Sequence, residues 1–80
     1  MMPPQPISPD QAVQRYIVAA MHHAVLEKLD DGTWYAHVPK IDGPWGNSQT
    51  EKDALDELRE VLGEWIELKK QDREPLPLLR

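Results

Sequence analysis

Two helical periods frame this chain. Val13, Tyr16, Ile17 and Ala20 recur at i, i+3, i+4 and i+7, the spacing of one stripe along a helix. Ser8-Pro9-Asp10-Gln11 stands just ahead of them: a capping hydroxyl, a proline at the first helical position, a first-turn acid and a Gln three residues after the cap. The stripe closes near Met21. A longer pattern follows in Ala54, Leu55, Leu58, Val61, Leu62, Trp65, Ile66 and Leu68, an apolar face broad enough to cover a small sheet. Thr50 ahead of Glu51 and Asp53 marks its start, and the helix is predicted to run to about Gln71. Lys69, Lys70 and Arg73 suit the negative end of its dipole, and Pro75 stops it. Gly63 costs this helix about 1 kcal/mol relative to Ala, and nothing in the sequence accounts for it.

Between the helices the pattern changes to short β-rich runs. His22 to Leu29 and Thr33 to Val38 flank Asp30-Asp31-Gly32, the signature of a hairpin. A turn of two or of three residues fits, and a one-residue shift exchanges the faces, so the cross-strand pairs stay open. Pro39 has no N–H for a ladder and ends the second strand. Ile41 to Ser48 is a third segment, either an edge strand or a loop, with Trp45 as its main anchor among small residues. The order is α-β-β-(β)-α, an α+β two-layer fold, with a Pro-Leu-Pro-Leu-Leu tail able to supply a fourth strand. Residues 1–7, with three prolines, read as a disordered or extended N-terminal tail, and 75–80 as an extended apolar C-terminal one.

Composition narrows the function. Eighty residues hold one domain. A chain of this size buries roughly 60% of the surface its unfolded form exposes, which favours stabilisation by a partner subunit. Lys plus Arg number 9 and Asp plus Glu 14, so 9 − 14 = −5, a balance poorly suited to gripping phosphates. There is no Cys, which removes disulfides, thiolate catalysis and Cys-ligated metal. No run of 18 apolar residues offers a membrane span. Met1-Met2-Pro3-Pro4-Gln5-Pro6 lacks the basic start and apolar stretch of a secretory signal, so a cytoplasmic protein is expected.

The candidate chemistry is sparse. His22 and His23, adjacent on a presumed strand, point to opposite faces, only one of them can share a face with His37, and no carboxylate or Cys cluster joins them. Strand-edge or surface histidines are expected, with no metal and no cofactor. The carboxylates lie along one helix side or in turns rather than as a pair in a cleft, and there is no phosphate loop or nucleophile elbow. No enzyme is expected. A double-stranded-RNA-binding domain shares the α-β-β-β-α order, but the start of the second helix reads Glu51-Lys52-Asp53, with Asp56 and Glu57 beyond, and would repel RNA. Asp53, Glu57, Glu60 and Glu64, at i, i+4, i+7 and i+11, form a stripe of like charge. The stripe reads as a solvated helix back and also as a patch that a basic partner would neutralise, and the two are compatible. Trp65 belongs on the apolar face; Trp45 divides between core packing and interface anchor. Leu76, Leu78 and Leu79 are too apolar for a free end and are candidate oligomer contacts; the tail is open to disorder, to folding back or to pairing with a neighbouring sheet edge.

One ordered set of residues carries a resemblance. Ala19-Ala20-Met21, Asp31-Gly32-Thr33-Trp34-Tyr35, Val38-Pro39, Gly43-Pro44-Trp45-Gly46-Asn47, Thr50, the run Glu57 to Ile66, and Pro75-Leu76-Pro77 together resemble the short HicB-like antitoxins over about residues 12–77. The resemblance implies a domain over 8–74 with a partial RNase H-like fold: a three- or four-stranded antiparallel sheet with a long helix on one face. It implies the function of neutralising a small basic HicA-type toxin, an mRNA-cleaving RNase, by covering its active or RNA-binding surface. Trp45, Asn47, Asp53, Glu57, Glu60 and Glu64 are then the candidate partner-binding residues, and a homodimer or higher homo-oligomer is expected. Lys40 and Gly63 depart from the family's usual Gly and helix former. The DNA-binding module of longer relatives has no counterpart in the nine residues after Gln71, so no direct nucleic-acid binding by this chain is expected. The alternative is a stand-alone oligomeric regulatory or adaptor module of the same fold without a toxin.

Overall fold

The computed structural model describes residues 9–77 and residue 79; the expected N-terminal tail and the Ser8 cap lie outside them, as does Leu78. Helix α1 (Pro9–His22) leads into β1 (Val25–Lys28), β2 (Trp34–His37) and β3 (Trp45–Ser48), and α2 (Glu51–Gln71) closes the chain. The α-β-β-β-α order is as expected, and the third segment is an edge strand rather than a loop. Both strand pairings are antiparallel, in the order β1-β2-β3.

Where β1 begins differs from the sequence reading. His22 is the last residue of α1, and the amides of His23 and Ala24 still donate to the carbonyls of Ala20 and Met21 at 3.0 and 3.1 Å. The strand therefore begins only at Val25, and the two histidines are not strand neighbours. Local helical hydrogen bonding overrides an alternation too short to define a strand.

The hairpin turn takes three residues, Asp30-Asp31-Gly32. The Leu29 amide donates to Thr33 O at 2.8 Å, and Gly32 donates back to Leu29 O at 2.9 Å with φ 86°, the left-handed position that three-residue hairpins assign to glycine. Asp31 Oδ1 accepts from both the amide and the hydroxyl of Thr33, at 2.9 and 2.6 Å. These two donors hold the Asp31 carboxyl below its ordinary pKa.

That turn sets the register, and the register sets the faces. Leu26, Ala36 and Gly46 align in one row across the sheet, and Val25, His37 and Trp45 in the next. The first row lies under α2. Ala36 and Gly46 are buried and small, which lets the helix approach closely: a Cβ on Gly46 would come within 2.7 Å of two backbone atoms of α2. Ala20, Ala36, Val38, Ile41, Ala54, Leu58 and Leu62 form the buried cluster, with Tyr16, Leu26, Trp34 and Trp65 packed against it. Ile66 is likewise fully buried. Leu68, read as part of the apolar face, lies at its margin and is 59% exposed.

Both ends of α2 are closed by local chemistry. Thr50 accepts from the Asp53 amide at 3.1 Å. At the other end Glu74 donates to Lys69 O and Arg73 to Lys70 O, with Arg73 at φ 56°, a Schellman closure whose left-handed residue is Arg instead of the usual Gly. The chain then turns back along α1: the Tyr16 hydroxyl donates to Pro77 O at 2.8 Å, and burial raises the Tyr16 pKa. Leu76 lines a groove with Val13, Tyr16 and Ile66, and Leu79 packs on the core. Residues 74–77 and 79 form no strand.

Candidate docking surface beside the third strand

Both helices lie on the same side of the sheet, because the buried row Leu26-Ala36-Gly46 faces α2, and α1 packs along α2. The opposite side is open among the described residues. Its two rows are Val25-His37-Trp45 and Glu27-Tyr35-Asn47. Tyr35 stacks on His37 with ring centroids 5.0 Å apart and tilts toward Trp45 at 6.1 Å. Trp45, at 51% exposed, presents an apolar ring on a face with no Lys or Arg, while Glu27 lies 4.0 Å from His37 Nε2. A shallow groove bounded by Tyr35, His37, Pro39, Asp42 and Trp45 continues this face toward the β2–β3 connection. Tryptophan and tyrosine rings are enriched at protein interfaces.

Asn47 shares the open face, but its amide is already engaged. Nδ2 donates to Thr33 Oγ1 at 2.9 Å and to Trp34 O at 3.0 Å. With the Thr33–Asp31 bonds, these tie β3 to the start of β2 and to the hairpin turn.

The acidic stripe sits on a particular flank of α2. Arg59 borders a groove with Val18, Met21 and His22 of α1, and Ile66 and Lys70 border the groove under Leu76. That side of α2 is covered by α1 and the C-terminal segment. The other side overhangs β3: Glu57 Cβ lies 3.2 Å from where a Gly46 Cβ would stand, and Val61, Glu64 and Leu68 border a groove with Gly43 and Pro44. Asp53, Glu57, Glu60 and Glu64 thus run along the flank above the outer edge of β3 or just behind it. Among the described residues none of the four has a cation within ion-pair distance, whereas Asp56 pairs with Lys52 at 2.8 Å and Arg59 at 3.8 Å, Glu67 with Lys70, and Glu74 with Lys69. The Lys52 contact lowers the Asp56 pKa and raises that of Lys52.

The sequence placed Trp45 and the four acids as separate candidates, and the fold brings them to the two sides of one strand. It seats Leu76 and Leu79 against the chain's own helices. His37 is the surface strand histidine that the sequence predicts, while Tyr35 and Glu27 escaped sequence reading as surface residues, since alternation reveals a shared face only once the hairpin register is known. Trp65 is half-buried, with the Lys69 ammonium 5.5 Å from its ring centroid. Among the described residues no group of three or more His, Cys, Asp or Glu is placed to hold a metal ion, and no helix is long and apolar enough to cross a membrane.

Fold and surface define a small two-layer α+β protein with one helix-covered and one open sheet face, bordered by unmatched acids. The chain belongs to the UPF0150-like family, which matches residues 15–77. The crystal structure of TTHA0281 from Thermus thermophilus is similar to it, with a TM-score of 0.79 and 26% sequence identity over 84% of each chain. No curated protein matches the sequence significantly.

Proposed function

We propose that this protein is a HicB-like antitoxin that acts by binding and masking a small basic HicA-type mRNA-cleaving toxin. The observation that carries the reading is the family match over residues 15–77, which coincides with the ordered motif set from Ala19-Ala20-Met21 to Pro75-Leu76-Pro77. Electrostatics support it, because the unpaired stripe Asp53, Glu57, Glu60 and Glu64 is complementary to an RNase that must itself be basic to hold RNA. Neutralisation requires no chemistry from the antitoxin; covering the toxin's RNA-binding surface suffices. An mRNA-cleaving partner places the pair in the cytoplasm. A second copy of this small chain adds stability through self-association.

Co-expression with the adjacent gene tests the proposal. The expected result is a small basic protein that arrests growth alone, is silent with this chain present, and co-purifies with it. If no such gene lies nearby, or if the pair neither co-purifies nor relieves arrest, the antitoxin reading is wrong and a stand-alone module of the same fold takes its place.

A further inference from the structure

We infer that the outer edge of β3 is the docking line, and that it takes an extended basic segment of a partner protein as a fourth strand of the sheet. This rests on the reading of the chain as a protein-binding module and specifies which surface does the binding. β3 is an outermost strand, and among the described residues no backbone bond from outside the sheet reaches it. Unpaired N–H and C=O groups on such an edge are a template for another strand.

The two sides of that edge differ in chemistry, and successive residues of an added strand point to opposite sides. Those opposite Gly46 and Ser48 rise toward α2. Gly46 has no side chain, so a residue set against it meets Glu57 directly, with Glu64 beside Gly43 and Pro44 on the same flank and Asp53 one turn before Glu57 on the same helix. Those opposite Trp45 and Asn47 lie on the open face, beside the exposed Trp45 ring. The matching segment carries Lys or Arg at every second position, with apolar side chains between them for Trp45.

Charge also selects among occupants. A second copy pairing β3 to β3 would bring two unmatched acidic flanks together, a like-charge juxtaposition that disfavours it. RNA could stack on Trp45 and Tyr35, but neither the open face nor the flank offers a Lys or Arg for its phosphates. The edge at β1 lacks the pattern, since Glu27 already faces His37 and the Lys28 ammonium lies 5.8 Å from the Trp34 ring centroid.

The test uses the full chain and a blocked eight-residue peptide of alternating Arg and Val, with its isomer of four Arg followed by four Val as control. Amide hydrogen exchange and nuclear magnetic resonance shifts locate the site, and titration gives affinity. The alternating peptide is expected to bind more tightly than its isomer, to slow exchange at outward-facing amides among Trp45–Ser48, and to weaken as salt rises. Glu57→Gln should weaken it about threefold, the scale of one exposed ion pair. Glu67→Gln, on an acid already paired with Lys70, should leave affinity unchanged. Equal binding of the two isomers, protection at β1 instead of β3, or no binding at all overturns the proposal. The outcomes separate from the antitoxin reading: a toxin that co-purifies undiminished with Glu57→Lys refutes the edge alone. Peptide pairing on β3 in a chain with no toxin nearby refutes the toxin alone.

Discussion

Replacing Gly46 by Ala adds one methyl group at the closest approach in the fold, and its cost can be worked from the geometry. The new Cβ would overlap the Ala54 carbonyl oxygen and stand 2.7 Å from the Leu58 amide nitrogen. Both are backbone atoms in the N-terminal half of α2, so no rotamer change relieves the clash. Restoring an ordinary contact of 3.4 Å at the Leu58 nitrogen alone requires 3.4 − 2.7 = 0.7 Å of separation between helix and strand. A gap of that size forfeits about a quarter to a half of the dispersion energy of the contacts it opens, and it opens them over Ala54, Leu58 and Leu62, all fully buried. The expected loss is about 3 kcal/mol, the upper part of the range for overpacking, or a fall in Tm of roughly 12–24 °C for a domain of this size. Gly63→Ala supplies the control within the same helix. Its Cβ meets nothing within 4 Å, so the same methyl should add about 0.5–1 kcal/mol of stability through helix propensity. Urea and thermal unfolding followed by circular dichroism, at one protein concentration, measure both. If Gly46→Ala unfolds within about 0.5 kcal/mol of the parent, the close seating of α2 on β3 is refuted.

Three further expectations follow from named contacts. Arg73→Gly relieves a left-handed residue at the end of α2 and should raise stability by about 0.5–1 kcal/mol, read as a higher urea midpoint at unchanged slope. Asn47→Ala removes the donors to Thr33 Oγ1 and Trp34 O and should cost about 1–2 kcal/mol, with faster amide exchange in the hairpin as its signature. The Asp31 carboxyl has a lower pKa folded than unfolded, held down by the Thr33 donors, so its ionised form stabilises the fold above the unfolded value of about 3.9 and that contribution disappears as pH falls through the folded value. Tm measured from neutral pH to pH ~2 should therefore show the gap between parent and Asp31→Asn narrowing on the acid side, and a constant gap would contradict the Thr33 contacts.

Much of the architecture was legible because it rests on local signals. Thr50 caps α2 where its hydroxyl precedes Asp53 by three residues, and the helix ends at Gln71 because Arg73 and Glu74 close it ahead of Pro75, which cannot continue it. The Asp-Gly turn announced the hairpin, since few residues other than Gly accept the φ that Gly32 adopts. The candidate site was legible only in part. Trp45 stood out as a bulky ring among small residues, and the acids as a helical stripe. Gly46 read only as one small residue in a segment that fitted either an edge strand or a loop, although it is the contact that seats the helix.

The sequence by itself determined the element order, the Thr50 cap of α2, the acidic stripe and the identity of the apolar face, all of which depend on spacings of a few residues within one helix or turn. Only the tertiary structure decided the three-residue turn, and with it which side chains share the open face, because strand register is a relation between segments and shifts every side chain by one face. It also decided that α2 lies low enough over Gly46 to carry Glu57 to the edge of β3. That placement joins Trp45 and the acids, distant in the sequence, along a single strand.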